Sequence, residues 1–362
     1  MNLSRSEMTL PRHSAGLTLI EVMVSIVIAL ILMAVTVSIF VGNKRSYNEQ
    51  EEMSRLQENA RFALDMLTRD IRLAGYVGCS HDGTAVHNHT ATAYDFVNVI
   101  EGWESSEAGG KWHPTTAAAP SAVTGGGDGI TVRYLDTDML NVNADMSGDL
   151  NAVVSVTAPT SSKVVNAGDV IGVSDCVSTD IFAVSGVTAP GAYPGTMLIQ
   201  HTGGSAVNDG VCSAAAGALC ESYKDPFALV SRGGYREYHY YIGDDDCDNT
   251  TADATGARNL CRAVGGGAGA PLAEGIEHME ILYGEDTSGD KIADVYQQAD
   301  AVTNWANVVS VQIGLVARTP QPYGIDIDGK TYTVLNGTYG PMNDRYRRRV
   351  YTTTVQLRNR MN

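Results

Sequence analysis

The sequence predicts an α+β protein: one long N-terminal α-helix, transmembrane in its first half, packed on a β-rich, mostly antiparallel C-terminal body. Three observations carry that expectation. Residues 22–41 run for twenty positions without a charge, and a helix of that length covers about 30 Å, the thickness of a bilayer's hydrocarbon. The helical period then continues to Gly75, after which short alternating runs replace it. The 362 residues also hold 38 glycines and only 7% aromatics, the mark of a loop-rich β protein.

The helix comes first. Residues 1–16 are polar, carry Arg5 and Arg12, and contain no apolar core. A secretory signal places its small residues after the apolar segment, whereas Ser14, Ala15 and Gly16 stand before it. Cleavage at Gly16 therefore leaves the apolar segment on the mature chain. Arg5 and Arg12 place the N-terminal side in the cytoplasm, with Lys44 and Arg45 weakening the contrast. The apolar stretch "LTLIEVMVSIVIALILMAVTVSIFVGN" contains one charge, Glu21. A carboxylate at a bilayer centre costs about 2.5–3.5 kcal/mol on insertion scales, less near the edge where it can snorkel. At a helix start it also complements the dipole, worth about 0.3–1 kcal/mol. Beyond the span, Met53, Leu56, Ala60, Ala63, Leu67, Ile71 and Ala74 recur at threes and fours as one apolar stripe among charged neighbours. No proline interrupts 17–75, and Gly75 and Gly78 supply stop signals.

The segment "G-LTLIEVMVSIVIALILMAV" resembles the N-terminus of a type IV prepilin, with Leu17 in place of the usual first phenylalanine. The continuation "RLQENARFALDMLTRDIRLAGYVGC" resembles the PilW-like minor pilins and, more distantly, the J-type minor pseudopilins of type II secretion. Near the other end, "EGIEHMEILYGEDTSGDKIADVYQ", "VVSVQIGLVART" and "RRRVYTTTVQLRNR" resemble the closing strands of the PilW-like group. The resemblance implies a pilin-like fold. It also implies cleavage between Gly16 and Leu17 by a prepilin peptidase that N-methylates the new terminus. The apolar helix then moves from lipid into a filament core, where Glu21 pairs with the N-terminal amine of an adjacent subunit. The implied partners are that peptidase, an inner-membrane assembly platform, the major pilin, other minor pilins and a tip adhesin. The implied location is the bacterial inner membrane, N-terminus cytoplasmic and body periplasmic, and then the pilus. Motility, adhesion and DNA uptake all use such filaments. A minor pseudopilin of type II secretion is the alternative within this class, and a membrane-anchored periplasmic binding protein the alternative outside it.

The expected organisation is a leader at 1–16, a transmembrane or filament-core helix at 17–43, and its amphipathic extracytoplasmic half at 44–78. A β-rich lobe at 79–232 and an antiparallel meander at 233–362 follow, with a soft boundary near 231–234 and one shared sheet as open as two separate ones. Candidate strands lie at 94–100, 129–135, 152–158, 169–175, 180–187 and 196–201 in the first lobe. In the second they lie at 235–242, 260–264, 276–283, 308–317 and 349–357.

Six cysteines, none in a CxxC pair, read as disulfides of an oxidising compartment. Proximity pairs Cys212 with Cys220 and Cys247 with Cys261, which leaves Cys79 for Cys176, one of about fifteen arrangements six cysteines allow.

For site chemistry, "LYGEDTSGDKIADVY" sets Asp286, Ser288, Asp290 and Asp294 at alternating offsets, with the carbonyl of Ile292 between, an arrangement of hard oxygens suited to calcium. Its glycine is out of place, and Gln297 stands where a bidentate carboxylate belongs, so a solvated acidic hairpin is the competing reading. No cofactor is required. The run Asp244, Asp245, Asp246 and Asp248 reads as a solvated loop, and His81, His87 and His89 as loop histidines without a carboxylate shell. Arg345, Arg347, Arg348 and Arg349 flank the last strand and offset nearby acidity. The glycine runs lack a phosphate loop's lysine, and no GxSxG or HExxH occurs. The sequence thus predicts no enzyme, and a net charge of −16 argues against direct nucleic-acid binding.

Overall fold

A computed structural model describes residues 18–79, 85–90, 96, 98–104, 111–113, 127–146, 152–158, 165–190, 192, 194–201, 218–247, 258–323 and 326–360. Helix α1 spans Leu19–Leu73 without interruption. No proline breaks it, and the few hydroxyls in its apolar run bond back along the helix. Ser25 donates to the Glu21 carbonyl at 2.7 Å and Thr36 to the Leu32 carbonyl at 2.9 Å. The chain forms two compact units, Met1–Glu52 and Met53–Asn362. The second unit opens at Met53, where the apolar stripe starts; "KRSYNEQEE" (44–52) offers no such stripe.

Within the second unit, Leu56, Ala60, Ala63, Leu67, Ile71 and Ala74 are buried, and Met53 packs beside them. They meet Ile100, Ile130, Ile281, Ile313 and Val355 in one core. Each large apolar side chain so buried contributes about 1.5–3 kcal/mol. The stripe also carries an acid, Asp70, only 3% exposed. The Tyr134 hydroxyl donates to its carboxylate at 3.1 Å, and the Tyr240 hydroxyl donates to the other oxygen. Burial first, and then the Asp70 charge, push both phenols above their usual pKa, so they stay protonated as donors. Two strands of one sheet thereby clasp the helix.

The helix ends where Gly75 turns to φ +74° and its N–H donates to the Arg133 carbonyl at 2.9 Å. The side-chain amide of Asn359, near the chain's far end, donates to the Leu73 and Ala74 carbonyls at 3.3 and 3.0 Å. The last turn of α1 is thus closed by the C-terminus.

A six-stranded antiparallel sheet runs in the order Ala270–Glu274, Asn259–Val264, Tyr235–Gly243, Gly129–Leu135, Ile100–Glu104, Lys111–His113. A four-stranded antiparallel sheet runs Val295–Gln297, Ile276–Glu285, Val308–Arg318, Arg348–Gln356. Both supply residues to the core around α1. Strands from the two sides of the expected boundary at 231–234 share one sheet, since Tyr235 pairs with Leu135 and Tyr240 with Ile130 across it. A second core, with Val154, Val156, Ile171, Phe182, Met197 and Tyr223, fills the lobe between residues 139 and 231. There the run at 180–187 breaks into Ser178–Ala183 and Gly186–Thr188, and Ala85–Asn88 joins Ser178–Ala183 in a parallel pair. Val77, Leu135, Val170 and Ile181 form a small cluster of their own that draws on both lobes.

Two buried ion networks stiffen the sheets. Arg133 meets Glu237 and Glu101 at 2.9 Å each and donates to the Asn98 carbonyl at 2.6 Å. Arg348, expected beside the last strand as an offset to nearby acidity, is fully buried among carboxylates. Its guanidinium meets Glu277 at 2.5 Å and takes both Asp344 oxygens at 2.7 and 2.6 Å. Arg318 lies directly across the strand pair from Arg348, and Glu277, 3.1 Å from Arg318, holds the two like charges together.

Three outcomes follow from these networks. Arg348→Ala leaves Glu277 with one fewer buried partner and is expected to cost about 3–5 kcal/mol, read by denaturant unfolding of the full chain in micelles. Arg348→Lys keeps the charge but loses the fork and is expected to restore only part of it. Burial raises the Glu237 carboxyl, but bonds from His239 and Tyr235 and the Arg133 charge outweigh it and hold it at about 2. Its folded pKa lies below its ordinary 4.5, so its contribution is complete above that value and fades as pH falls through about 2. The Glu237→Gln chain is expected to lack that acid-side slope in stability; an unchanged slope contradicts the assignment.

Candidate assembly site

The apolar half of α1 is exposed on every side, Ile20, Val27, Ile31 and Phe40 included. It is the one helix among the described residues long and apolar enough to cross a membrane. Left in water, a surface of this kind carries a large hydrophobic cost, so it requires lipid or other apolar helices. Glu21 stands in its first turn, exposed, where the Glu21 and Val22 N–H groups donate to the Thr18 carbonyl at 3.1 and 3.2 Å. A carboxylate there complements the unsatisfied N–H groups of the helix start and is open to a cation from outside the chain. Gly16 and Leu17 lie outside the described residues.

The structure bonds Cys79 to Cys176 and Cys247 to Cys261. Cys220 is also disulfide-bonded, and Cys212 lies outside the described residues. The first bridge ties the segment leaving α1 to the turn between Val170–Ser174 and Ser178–Ala183. The second joins the end of the 235–243 hairpin arm to its neighbouring strand, and Tyr241 donates to the Cys247 carbonyl at 2.7 Å.

The acidic hairpin is organised by its own backbone. Asp286 accepts from the N–H groups of Ser288, Gly289 and Lys291 at 3.1, 2.6 and 2.8 Å. Asp294 accepts from Thr287 N and Oγ1 and from Ser288 N at 2.7, 2.9 and 2.9 Å. Asp290 accepts from Ile292 N at 2.9 Å, and the Ile292 side chain is exposed. Desolvation raises the Asp286 carboxyl, yet the Gly289, Lys291 and Ser288 amides outweigh it and bring it below its usual value. The Thr287 hydroxyl and amide do the same for Asp294. A cation at this loop would have to share lone pairs with these donors.

Among the described residues, the ligand atoms that gather within 4.8 Å are those of His89, Asp180 and Cys220. His89 Nε2 lies 2.6 Å from Asp180 Oδ1, both fully buried, and 3.8 Å from the Cys220 sulfur. Asp180 also accepts from the Tyr223 hydroxyl at 2.8 Å and from the Cys220 amide at 3.1 Å. Because Cys220 is in a disulfide, its sulfur is neither a thiolate ligand nor a nucleophile. His89 was expected in a loop without a carboxylate; sequence spacing gave no signal for Asp180, 91 residues away. His87 lies in Ala85–Asn88, while His81 and Asp248 lie outside the described residues. Of the second acidic run, Asp244 is buried while Asp245 and Asp246 are exposed.

With this geometry in place, comparison with known proteins is informative at both ends. Residues 239–359 match the family model for Type IV Pilus-assembly protein W. Residues 11–37 match the prokaryotic N-terminal methylation motif. A solved structure, the type IV-like pilin TTHA1219 from Thermus thermophilus, aligns at 13% identity and TM-score 0.30, covering 84% of this chain and 98% of that one. No curated protein matches. The chain is a type IV pilin-like protein with a prepilin methylation motif. Its C-terminal third, with the four-stranded sheet and the Arg348 network, is of the PilW type.

Asp286→Ala is expected to speed amide exchange at Gly289 and Lys291 without unfolding the sheets. A calcium titration of the full chain distinguishes a cation site, which raises the melting temperature at millimolar calcium, from a hairpin closed by its own amides, which leaves it unchanged.

Proposed function

We propose that this protein is a minor pilin that initiates or caps a type IV pilus. It is inserted in the inner membrane with its body periplasmic, cleaved after Gly16 and methylated at Leu17. It then packs through α1 among other pilins near the filament tip. One observation carries the reading: α1 is exposed and apolar all round in the half that bears the methylation motif, and one-sided in the half that bears the body. Such a helix is soluble in two settings, lipid and a bundle of like helices, and can pass from one to the other. Glu21 supplies the selective contact. In the bundle its carboxylate pairs with the Leu17 amine of a neighbour, and a subunit lacking that pairing leaves a charge in apolar surroundings.

Prepilin peptidase, the major pilin, other minor pilins and a tip adhesin are the partners this role entails. The role is structural; the His89–Asp180–Cys220 group found among the described residues has its sulfur in a disulfide. A PilW-type C-terminal region favours a pilus over a type II secretion pseudopilus.

Mass spectrometry of the protein from cells holding the peptidase is expected to show a mature N-terminus at methylated Leu17; an intact Met1 terminus refutes processing. Glu21→Ala is expected to insert in the membrane normally yet lower surface pilus number severalfold, and unchanged pilus counts by electron microscopy remove the role given to Glu21.

A further inference from the structure

Two adjoining clefts of about 320 and 340 Å³ open beside the C-terminal end of α1. Arg72 and Arg358 line both, and Arg69 lines the larger, together with Thr68 and Asp65. The three arginines are exposed. Arg133, Arg232, Arg236, Arg318 and Arg348 each meet a carboxylate within 4.0 Å. Among the described residues Arg69, Arg72 and Arg358 meet none. Asp65, one turn before Arg69, is near enough in sequence to pair with it but does not.

A bland account covers part of this. Cations near a helix C-terminus complement its dipole, and Arg72 sits in the last turn. That account does not explain Arg358, which is brought in from the far end of the chain. Asn359 pins it there through its bonds to the Leu73 and Ala74 carbonyls. Since Asn359 already closes those carbonyls, a third cation beside them adds repulsion and no capping. The chain as a whole carries −16, so a neighbour of similar acidity is repelled over most of its surface. The arginine cleft reverses the sign locally.

We propose that this cleft is a docking site for a carboxylate-bearing face of a neighbouring pilin-type subunit, gripped by Arg72 and Arg358 with Arg69 at the rim. Guanidinium forks match carboxylates bidentately, and the flanking Thr354 and Gln356 offer further hydrogen bonds. Asp65 on the wall disfavours a doubly charged phosphate more than a carboxylate. The inference rests on the assembly role for the identity of the neighbour, but not for the binding chemistry.

The test uses the full chain in neutral detergent micelles, where no filament forms, with a fluorescent hexaglutamate peptide as probe and anisotropy as readout. Wild type is expected to bind at low salt, with Arg72→Ala and Arg358→Ala each weakening binding roughly tenfold and the double variant abolishing it. Because both side chains are exposed, melting temperatures are expected to stay unchanged. If Arg72→Ala lowers the melt, Arg358→Glu, off the helix, carries the decision. Absence of binding by wild type, or equal binding by the double variant, overturns the proposal. Competition by inorganic phosphate at the same concentration as glutamate also overturns it, making the cleft a general anion site. A failure of Leu17 processing or of the Glu21 phenotype leaves this measurement untouched, so the two readings fail separately.

Discussion

The main core of the second unit depends on a single helix that changes its solvent requirement partway along. Its apolar half is exposed on every side, and from Leu56 a stripe six side chains long is covered completely. Burying Leu56, Leu67 and Ile71 removes apolar surface from water, and the six- and four-stranded sheets meet on that stripe. The alanines at 60, 63 and 74 keep the helix surface low, which lets strands approach it closely. Remove the stripe and the two sheets lose the surface they share.

Polar devices then decide register. A carboxylate in the middle of an apolar stripe is tolerated only where donors await it, and the two tyrosines clasping Asp70 allow one rotation of the helix against the sheet. Asn359 does the same for the helix end, locking the last residues of the chain to the first element. In the four-stranded sheet, Glu277 joins two arginines that strand pairing forces opposite one another. These contacts hold the PilW-type region to the helix and, in doing so, set Arg358 beside Arg72.

Much of this was legible beforehand. The stripe from Met53 to Ala74 is readable because a helix repeats its face every three to four residues, and every member proved buried or packed. The strand at 129–135 was bounded to the residue by flanking glycine and aspartate. Other parts were hidden. Asp70 carries no local mark of burial, since its tyrosines lie 64 and 170 residues away. Arg348 reads as an offset to nearby acidity, but a sequence does not show which carboxylates fold against it. Short edge strands such as Met139–Asn141 and Leu229–Ser231 carry too few residues to show a period.

The sequence by itself determined the helix, its change of character, the methylation motif and the antiparallel runs, because all of these are local periodicities or spacings. Tertiary structure alone decided which strands share a sheet, which acids and arginines are buried together, and where Asn359 closes the end of α1. Those outcomes depend on contacts between residues scores to hundreds of positions apart, and no local pattern encodes a pairing between distant edges.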